Sequence, residues 1–328
     1  MDIKKLPKTE FAAAVAQIAG ERNLDSQLIL DSIEAGLISA YKRDQKEHGV
    51  NVAEESTFVV ELAPETGSFK VYETTDDKKV DVTPPGFGRI AAQTARQVID
   101  QKIHEAEKEN ILDEYRRKIG GLVNGIVLRA DSYRLTVGIG RTEAVCPKEE
   151  QVKGENLKTG DKKLFLVKEV TKDDELGKSE VILSRKDPEF IRQLFVREVP
   201  EVANRTVTVE KIARTPGVRI KVAVSSREAG VDPVGSCIGQ KGSRIQSILS
   251  ELSPDEKLDV VAFSKNLSHF IVQALSPAQG VTLVSQKDGV ALVTVPEDQL
   301  ALAIGSGGEN INLAGVLTGM DIKVQAEK

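Results

Sequence analysis

Two amphipathic patterns dominate the first 118 residues. The first predicts a helix that Asp25 and Ser26 can cap. Its buried face consists of Ile29, Leu30, Ile33, Leu37 and Tyr41. The second pattern runs from residue 89 to residue 118 without proline or glycine and carries isoleucine and valine among many charged residues. It predicts a long helix, which is either a stiff spacer between two domains or a helix packed wholly within the first domain.

Between these helices, and again after residue 119, the apolar positions change to strand-like runs. "TFVVELA" and "SFKVYET" flank the turn "PETG" and predict a hairpin, so the first segment is an α/β unit. Residues 120–186 contain short strand-like runs with glycine-marked turns and predict a five-stranded barrel of the OB type. Gly125 fits a coil or bulge that lets the first strand serve both sides of the barrel. Tyr133 and Phe165 are the only aromatic residues in this segment, which is few for a surface that stacks on RNA bases. A purely structural barrel without a ligand is therefore an alternative.

The remaining chain contains an internal repeat. After the predicted helix "SRKDPEFIRQLFVREVPEV", one segment reads strand, turn, strand, helix, glycine loop, helix and strand. A second segment, which begins with the helix "LSHFIVQAL", repeats this order. A repeat of about 65 residues indicates two copies of one small α/β unit.

The glycine loops of the two copies are "IGQKG" and "AIGSGG". A helix–GxxG–helix unit presents the free amide groups of its second helix, where they and the helix dipole favour a phosphate. Glycine lets a nucleic-acid backbone approach closely. This is the KH arrangement, which clamps about four nucleotides of single-stranded RNA. Glycine pairs are also common as plain helix caps, and the weight of the prediction therefore rests on the repeated order of elements.

The two loops differ in charge. The first contains Lys241 and Arg244, and further cations lie on the strands that precede it: Arg214, Arg219 and Lys221. The second has Ser306 and Gly307 between its glycines, followed by Glu309. We expect the first copy to bind RNA more strongly and the second to act through backbone amides. A solvated basic face without a ligand is the alternative.

The net charge of −5 argues only weakly against a nucleic-acid partner, because the charge is unevenly distributed. The balance is −6 over residues 1–110, +5 over residues 205–250 and −5 over residues 251–328. Neither a signal peptide nor an 18-residue apolar run is present, and Cys146 and Cys237 lack histidines nearby. A reduced, cytoplasmic protein without membrane contact, metal or other cofactor is predicted. No residue pattern indicates catalysis.

Several segments together resemble the NusA family of bacterial transcription elongation and termination factors. The most specific are "LFVREVPEV", "IARTPGVRIKVAV", "DPVGSCIGQKGSRIQSILSEL" and "LAIGSGGENINLAGVLTGMDI". The resemblance implies a multidomain α+β fold with an N-terminal α/β head and long connecting helix, an OB-fold barrel of the S-one type, and two tandem type II KH domains. The expected boundaries are 1–119, 120–186, 187–265 and 266–328.

The resemblance also implies a function. The head is expected to bind RNA polymerase near the exit of the nascent transcript, and the barrel and KH units to hold the emerging single-stranded RNA. Such a factor modulates pausing, intrinsic termination and, with other Nus factors, antitermination; a monomer is expected when it is free. The first implied clamp consists of Gly239, Gln240, Lys241, Gly242 and Arg244. The second consists of Gly305, Ser306, Gly307, Gly308 and Asn310.

The chain departs from the family pattern in places. Ser306 occupies a position where a basic residue is frequent, and Met320 one where an aromatic residue is frequent. The chain ends at Lys328, without the acidic repeats of some relatives. Two other functions are compatible with parts of the pattern. One is a polymerase-independent RNA-binding or ribosome-assembly protein, and the other is the RNA-binding portion of a phosphorolytic ribonuclease, against which the domain order argues.

Overall fold

The computed structural model describes residues 10–22, 25–48, 57–75, 78–173 and 178–327. The chain divides into two compact units, Met1–Asp113 and Glu114–Lys328. Each unit has a core of its own, and each is described by itself below.

The first unit combines helices with a three-stranded antiparallel sheet in the order β1-β2-β3. Its elements are α1 (Glu10–Arg22), α2 (Ser26–Glu47), β1 (Thr57–Leu62), β2 (Phe69–Thr75), β3 (Lys78–Asp81) and the start of α3 (Gly88–Arg116). Asp25 caps α2 by accepting a hydrogen bond from the backbone N–H of Gln27 at 2.9 Å. The predicted apolar face of α2 is buried, which confirms that prediction. Tyr41 packs against Phe58 and Phe87 in this core.

Helix α3 has 29 residues, and its two ends have different surroundings. Near its start, Ala91 is buried in the core of the first unit, together with half-buried Val98 and Ile99. Its last turn belongs to the second unit, where the hydroxyl of Tyr115 donates a hydrogen bond to the carbonyl of Ile139. A helix packed wholly within the first domain is therefore wrong, since the helix begins in the core of the first unit and its last turn contacts the barrel of the second.

The second unit begins with a closed barrel whose strand order is β4-β5-β6-β8-β7. Its strands are β4 (Leu122–Ala130), β5 (Arg134–Gly138), β6 (Glu143–Pro147), β7 (Lys162–Asp173) and β8 (Lys178–Ser184). The predicted five-stranded barrel is confirmed.

Strand β4 serves both sides of the barrel, since it pairs with β7 and with β5, but it has no bulge at Gly125. The β4–β5 ladder shifts register between Val127 and Arg129 instead. The position requires glycine for a steric reason, because a Cβ there would lie 2.4 Å from Val137 and 2.8 Å from Phe165. The barrel interior therefore has no room for a side chain at this position.

Two KH units follow, and both have the order helix, strand, strand, helix, loop, helix, strand. The first comprises α4 (Pro188–Glu198), the short α5 (Pro200–Ala203), β9 (Val207–Thr215), β10 (Arg219–Ser226), α6 (Pro233–Ile238), α7 (Ser243–Glu251) and β11 (Lys257–Ala262). The second comprises α8 (Leu267–Ala274), β12 (Thr282–Lys287), β13 (Val290–Val295), α9 (Leu300–Ile304), α10 (Glu309–Thr318) and β14 (Asp321–Ala326). In both sheets the central strand pairs antiparallel with the strand before it and parallel with the last strand, which confirms the internal repeat.

The sheet of the first KH unit packs against helices of the second. Small residues on its outer face, Ala213 and Ala223, form one buried cluster with Phe270 of α8 and Leu317 of α10. Nζ of Lys211 donates a hydrogen bond to the carbonyl of Leu317 at 2.8 Å, near the C-terminal end of α10. This polar contact, with the apolar cluster around it, joins the two KH units directly.

A buried lysine lies at the same junction. The Lys221 side chain is inaccessible to solvent, and its ammonium group donates hydrogen bonds to the carbonyl of Ser276 at 2.5 Å and to Asp259 at 3.3 Å. Loss of hydration through burial outweighs the attraction of Asp259 and lowers the pKa of Lys221 from 10.5 to about 8.

This pKa predicts a pH dependence of stability. Below about pH 8 the amine is protonated in both states, so the folded state carries the full cost of the buried charge. Between pH 8 and pH 10.5 the unfolded state binds more protons, so this cost disappears as the pH rises. Lys221→Met has no such charge, and its free energy of unfolding relative to the wild type should fall by about 3 kcal/mol across this window.

Urea denaturation of both proteins at a series of pH values measures this difference. Lys287→Met is the matched control, because the Lys287 side chain is exposed and its removal should leave the pH profile unchanged. A Lys221→Met curve that runs parallel to the wild-type curve at every pH would contradict the prediction.

Candidate nucleic-acid interface

The first glycine loop separates two helices by backbone conformation alone. Helix α6 ends at Ile238, and α7 begins at Ser243. Between them Gly239 has φ 75° and ψ 174°, Lys241 has φ 52° and Gly242 has φ 78°. Positive φ at three positions within four residues turns the chain, so the two helices do not merge.

The second loop has the same conformation with a different sequence. Gly305 has φ 79° and ψ 167°, Gly307 has φ 63° and Gly308 has φ 78°. Corresponding hydrogen bonds also match, since the N–H of the last glycine donates to the carbonyl of the first at 3.1 Å in both loops. Lys241 therefore adopts a left-handed conformation at a position where the second loop has Gly307.

Both loops leave the start of the following helix open. The first N–H of each helix already has a partner, since Ser243 donates to the carbonyl of Gln240 and Glu309 to that of Ser306. The N-cap residues, Gly242 and Gly308, provide no side-chain hydrogen bond to the N–H groups that follow in the first turn. A Cβ at Gly242 or Gly307 would meet no atom within 4 Å. Uncapped amides beside open space are suited to bind an anion such as a backbone phosphate.

The exposed side chains at the loops are Gln240 and Lys241 in the first and Ser306 in the second. Sequence reasoning missed apolar residues beside them. Ile238, Leu302 and Ile304 belong to the helix before each loop and are 39%, 47% and 37% exposed. In the sequence these are apolar residues near the end of a short predicted helix, and such residues are usually part of the core. The sequence alone therefore does not distinguish them from core residues.

Arg244 and Asn310 occupy equivalent positions, five residues after the first glycine of each loop, and both hold the preceding helix in place. Nη1 of Arg244 donates hydrogen bonds to the carbonyl of Ser236 at 2.5 Å and to Glu201 at 2.8 Å. Nδ2 of Asn310 donates to the carbonyls of Ala303 and Leu275, both at 3.0 Å. Asn310 is fully buried, so its predicted contact with RNA is wrong.

The cations predicted on the strands are engaged inside the protein. Arg214 forms a two-pronged ion pair with Glu256 at 2.7 and 3.1 Å, and its side chain is 1% exposed. Arg219 pairs with Asp259 at 2.7 Å, beside the buried Lys221. The predicted RNA contacts of Arg214 and Lys221 are therefore corrected, because a buried cation that is already paired is not available to a phosphate.

The positive balance of residues 205–250 overstated the basic surface for the same reason. Glu256 and Asp259 follow just after that segment and neutralise its strand cations in the folded protein. Of the predicted basic residues in this KH unit, Lys241 is the one that is exposed.

Chemistry other than binding has little support among the described residues. Within them, no group of three or more histidine, cysteine, aspartate or glutamate side chains is placed to hold a metal ion. Burial raises the pKa of the Cys146 and Cys237 thiols to about 12, which makes them poor nucleophiles. No helix in the described ranges is long and apolar enough to cross a membrane.

A barrel followed by two KH units with open glycine loops defines the class of the protein, a multidomain protein with an RNA-binding architecture. Family models support this assignment. The model of the NusA N-terminal domain matches residues 10–77 and 72–109, that of the NusA-like first KH domain residues 185–263, and that of the NusA-like second KH domain residues 267–328.

Curated relatives match over nearly the whole chain, and each is named transcription termination/antitermination protein NusA. The Bacillus subtilis protein is 35% identical over 350 residues, which cover 97% of this chain and 91% of the relative. The Thermus thermophilus protein is 34% identical, with coverage of 95% and 89%. The Mycobacterium tuberculosis protein is 35% identical, with coverage of 96% and 92%. The chain belongs to the NusA family of transcription termination/antitermination factors, which are not enzymes.

The loop geometry predicts unequal costs for two glycine substitutions. Gly242→Ala places an alanine in the left-handed region beside open space and should cost about 1–2 kcal/mol of unfolding free energy. Gly239→Ala should cost more, because its φ and ψ lie in a region that is almost exclusive to glycine and its Cβ would lie 2.7 Å from Cγ of Arg244. Chemical denaturation of both variants measures the difference; equal costs would contradict the described loop.

Proposed function

We propose that this protein binds RNA polymerase and the nascent transcript together, and that it modulates pausing, intrinsic termination and, with other Nus factors, antitermination. It acts in the cytoplasm and is a monomer when free. The observation that carries the proposal is the pair of glycine loops, which share one backbone conformation and leave two helix N-termini open.

The first loop is the stronger of the two RNA clamps. A phosphate accepts hydrogen bonds from the first-turn amides of α7, and the exposed ammonium group of Lys241 adds a point charge beside it. Ile238, which is exposed on the neighbouring helix, offers an apolar surface to a base. Gly239 and Gly242 allow the RNA backbone to come close.

The second loop acts through backbone amides and apolar contact. Ser306 and Gly307 contribute no charge, and Leu302 and Ile304 offer exposed apolar surface. Glu309, the first residue of α10, places a carboxylate near the same helix N-terminus, where it opposes a phosphate. Its Oε2 accepts a hydrogen bond from Thr215 of the first KH unit at 2.8 Å. The second clamp is therefore the weaker one.

Both clamps serve one RNA strand. The contacts from Lys211 to Leu317 and from Thr215 to Glu309 tie opposite ends of α10 to strand β9 of the first KH unit. Because the two loops are parts of one packed unit, a strand held by the first loop is presented to the second at little additional entropic cost.

The head provides the polymerase contact. It is a separate compact unit with its own apolar core, and residues 1–110 carry a net charge of −6. An acidic unit is suited to a protein partner better than to the RNA backbone. We accordingly assign polymerase binding to residues 1–119, a further RNA contact to the barrel over residues 120–186, and the two clamps to residues 187–265 and 266–328.

Lys241→Asp tests the first clamp. The variant should bind single-stranded RNA more weakly whatever the RNA sequence, and the slope of log affinity against log salt should decrease by about one, because one phosphate contact is lost. Fluorescence anisotropy over a salt series measures both effects. Lys287→Asp, with the same change of charge at an exposed lysine on β12, should leave the slope at its wild-type value. A wild-type slope in Lys241→Asp would remove the first loop from the site.

A pausing assay tests the two-partner function. The intact protein should lengthen the dwell time of RNA polymerase at a hairpin-stabilised pause, whereas a version that begins at Glu114 should bind RNA and leave the dwell time unchanged. Glu114 is chosen because it pairs with Arg141 of the barrel at 2.8 Å. Equal pausing by both versions would contradict the role of the head. No pausing by either, with normal RNA binding, would favour a polymerase-independent RNA-binding protein.

A further inference from the structure

One residue of the segment "IARTPGVRIKVAV" reaches across to the second glycine loop. Thr215 is the last residue of β9, and its hydroxyl donates a hydrogen bond to Oε2 of Glu309 at 2.8 Å. Glu309 is the first residue of α10 and directly follows the loop residue Gly308. The first KH unit therefore holds a side chain that lies beside the second clamp.

Thr215 itself has a fixed position. It pairs with Arg219 across the β9–β10 ladder, and its carbonyl accepts a hydrogen bond from the N–H of Val218 at 3.0 Å. Within the same turn, Gly217 packs so closely against the barrel that a Cβ there would lie 2.6 Å from the carbonyl oxygen of Lys153. The turn is therefore held by the barrel as well as by the sheet, and the hydroxyl of Thr215 is a donor with a defined place.

Glu309 carries a negative charge at the positive end of its helix. A carboxylate in the first turn is attracted by the helix dipole and can accept hydrogen bonds from the free N–H groups of that turn. Among the described residues, however, the Glu309 side chain accepts its hydrogen bond from Thr215 and from no N–H group of α10. Those N–H groups are the ones that we propose to bind a phosphate, so a carboxylate bonded to them would compete with the RNA.

The first clamp differs at this position. Helix α7 begins with Ser243, which is uncharged and occupies the place that Glu309 has in α10. A neutral first residue is not drawn to the helix N-terminus as a carboxylate is, so the amides of α7 need no partner to keep such a group away. The contact with Thr215 thus occurs at the clamp where a competing carboxylate is present.

We propose that Thr215 is a positioning residue for the second clamp. Its hydroxyl holds the carboxylate of Glu309 toward β9, and the first-turn amides of α10 stay free for a phosphate of the RNA backbone. The inference rests on the proposed RNA-binding function, and it adds a residue outside both loops on which the second clamp depends. Glu309 still opposes the phosphate through its charge, but Thr215 prevents it from occupying the amides directly.

Thr215→Val tests this role, because it removes the hydroxyl and keeps the branched shape of the side chain. The freed carboxylate should bond to the amides of α10. The intact variant should therefore bind a single strand of about twelve adenines, long enough for both clamps, about threefold to fivefold more weakly than the wild type. Its affinity for a strand of about four adenines, which one clamp accommodates, should be unchanged, because the first clamp is the stronger one. Fluorescence anisotropy measures both affinities.

A double-mutant cycle with Glu309→Gln separates positioning from packing. In the Thr215→Val background, Glu309→Gln should restore the wild-type affinity for the longer strand, because a neutral amide is not attracted to the helix N-terminus. In the wild-type background the same change should tighten binding by about twofold or less, since the carboxylate is already held away from the amides. Thr215→Ser keeps the hydroxyl and should bind both strands as the wild type does.

Three results of this cycle would overturn the proposal. A loss in Thr215→Val that Glu309→Gln does not restore would mean that Thr215 is only structural. Wild-type affinity of Thr215→Val for the longer strand would mean that the hydrogen bond has no role in RNA binding. Tighter binding by Thr215→Val would mean that the hydrogen bond holds the carboxylate in the way of the phosphate.

Two further variants serve as controls. Thr206→Val removes another hydrogen bond from a threonine to a glutamate, the 3.4 Å contact with Glu228 at the other end of β9, and should leave both affinities unchanged. Ser306→Asp places a negative charge in the second loop itself and should weaken binding of the longer strand alone. If Ser306→Asp weakens that binding and Thr215→Val does not, the second clamp stands and the role of Thr215 is wrong. If neither variant weakens it, RNA does not use the second loop, and both the second clamp and the role of Thr215 are wrong.

Discussion

The buried guanidinium of Arg185 fixes the barrel and the first KH unit to one another. It pairs with Glu155, donates hydrogen bonds to the carbonyls of Leu164 and Glu251, and lies 5.0 Å from the ring centroid of Phe190. Its own carbonyl accepts a hydrogen bond from Arg214. Burying such charges costs hydration, so this network specifies relative position more than it adds stability. Through the carbonyl of Glu251 it sets the place of helix α7, and therefore of the first glycine loop.

The two KH units are joined to each other by further contacts. Alanines on the outer face of the first KH sheet let helices of the second KH unit approach closely, and Lys211 and Thr215 hold the two ends of α10. Side chains such as Arg244 and Asn310 act behind the loops and hold the paired helices, so the loops can remain open. The protein thus places these polar side chains where they support the backbone, and in the proposed function the contact with RNA is made largely by backbone amides.

Much of this architecture could be predicted from the sequence, because it depends on local patterns. Strand-like runs and glycine turns predicted the barrel, and repetition of element order predicted both KH units. Charge counts were less informative, since they treat every cation as exposed. Arg214 and Lys221 are buried and form ion pairs with Glu256 and Asp259, which lie about 40 residues further along the chain. Which cation meets which acid depends on the register of the sheet, and charge counts contain no information about register.

The central claim is that RNA crosses both glycine loops at the open starts of α7 and α10. Amide hydrogen exchange of the intact protein, with and without single-stranded RNA, tests it most directly. The account predicts slower exchange on RNA binding in the first turns of both helices, with the larger effect beside Lys241. Protection confined to other parts of the barrel and KH units, with both first turns unchanged, would contradict it.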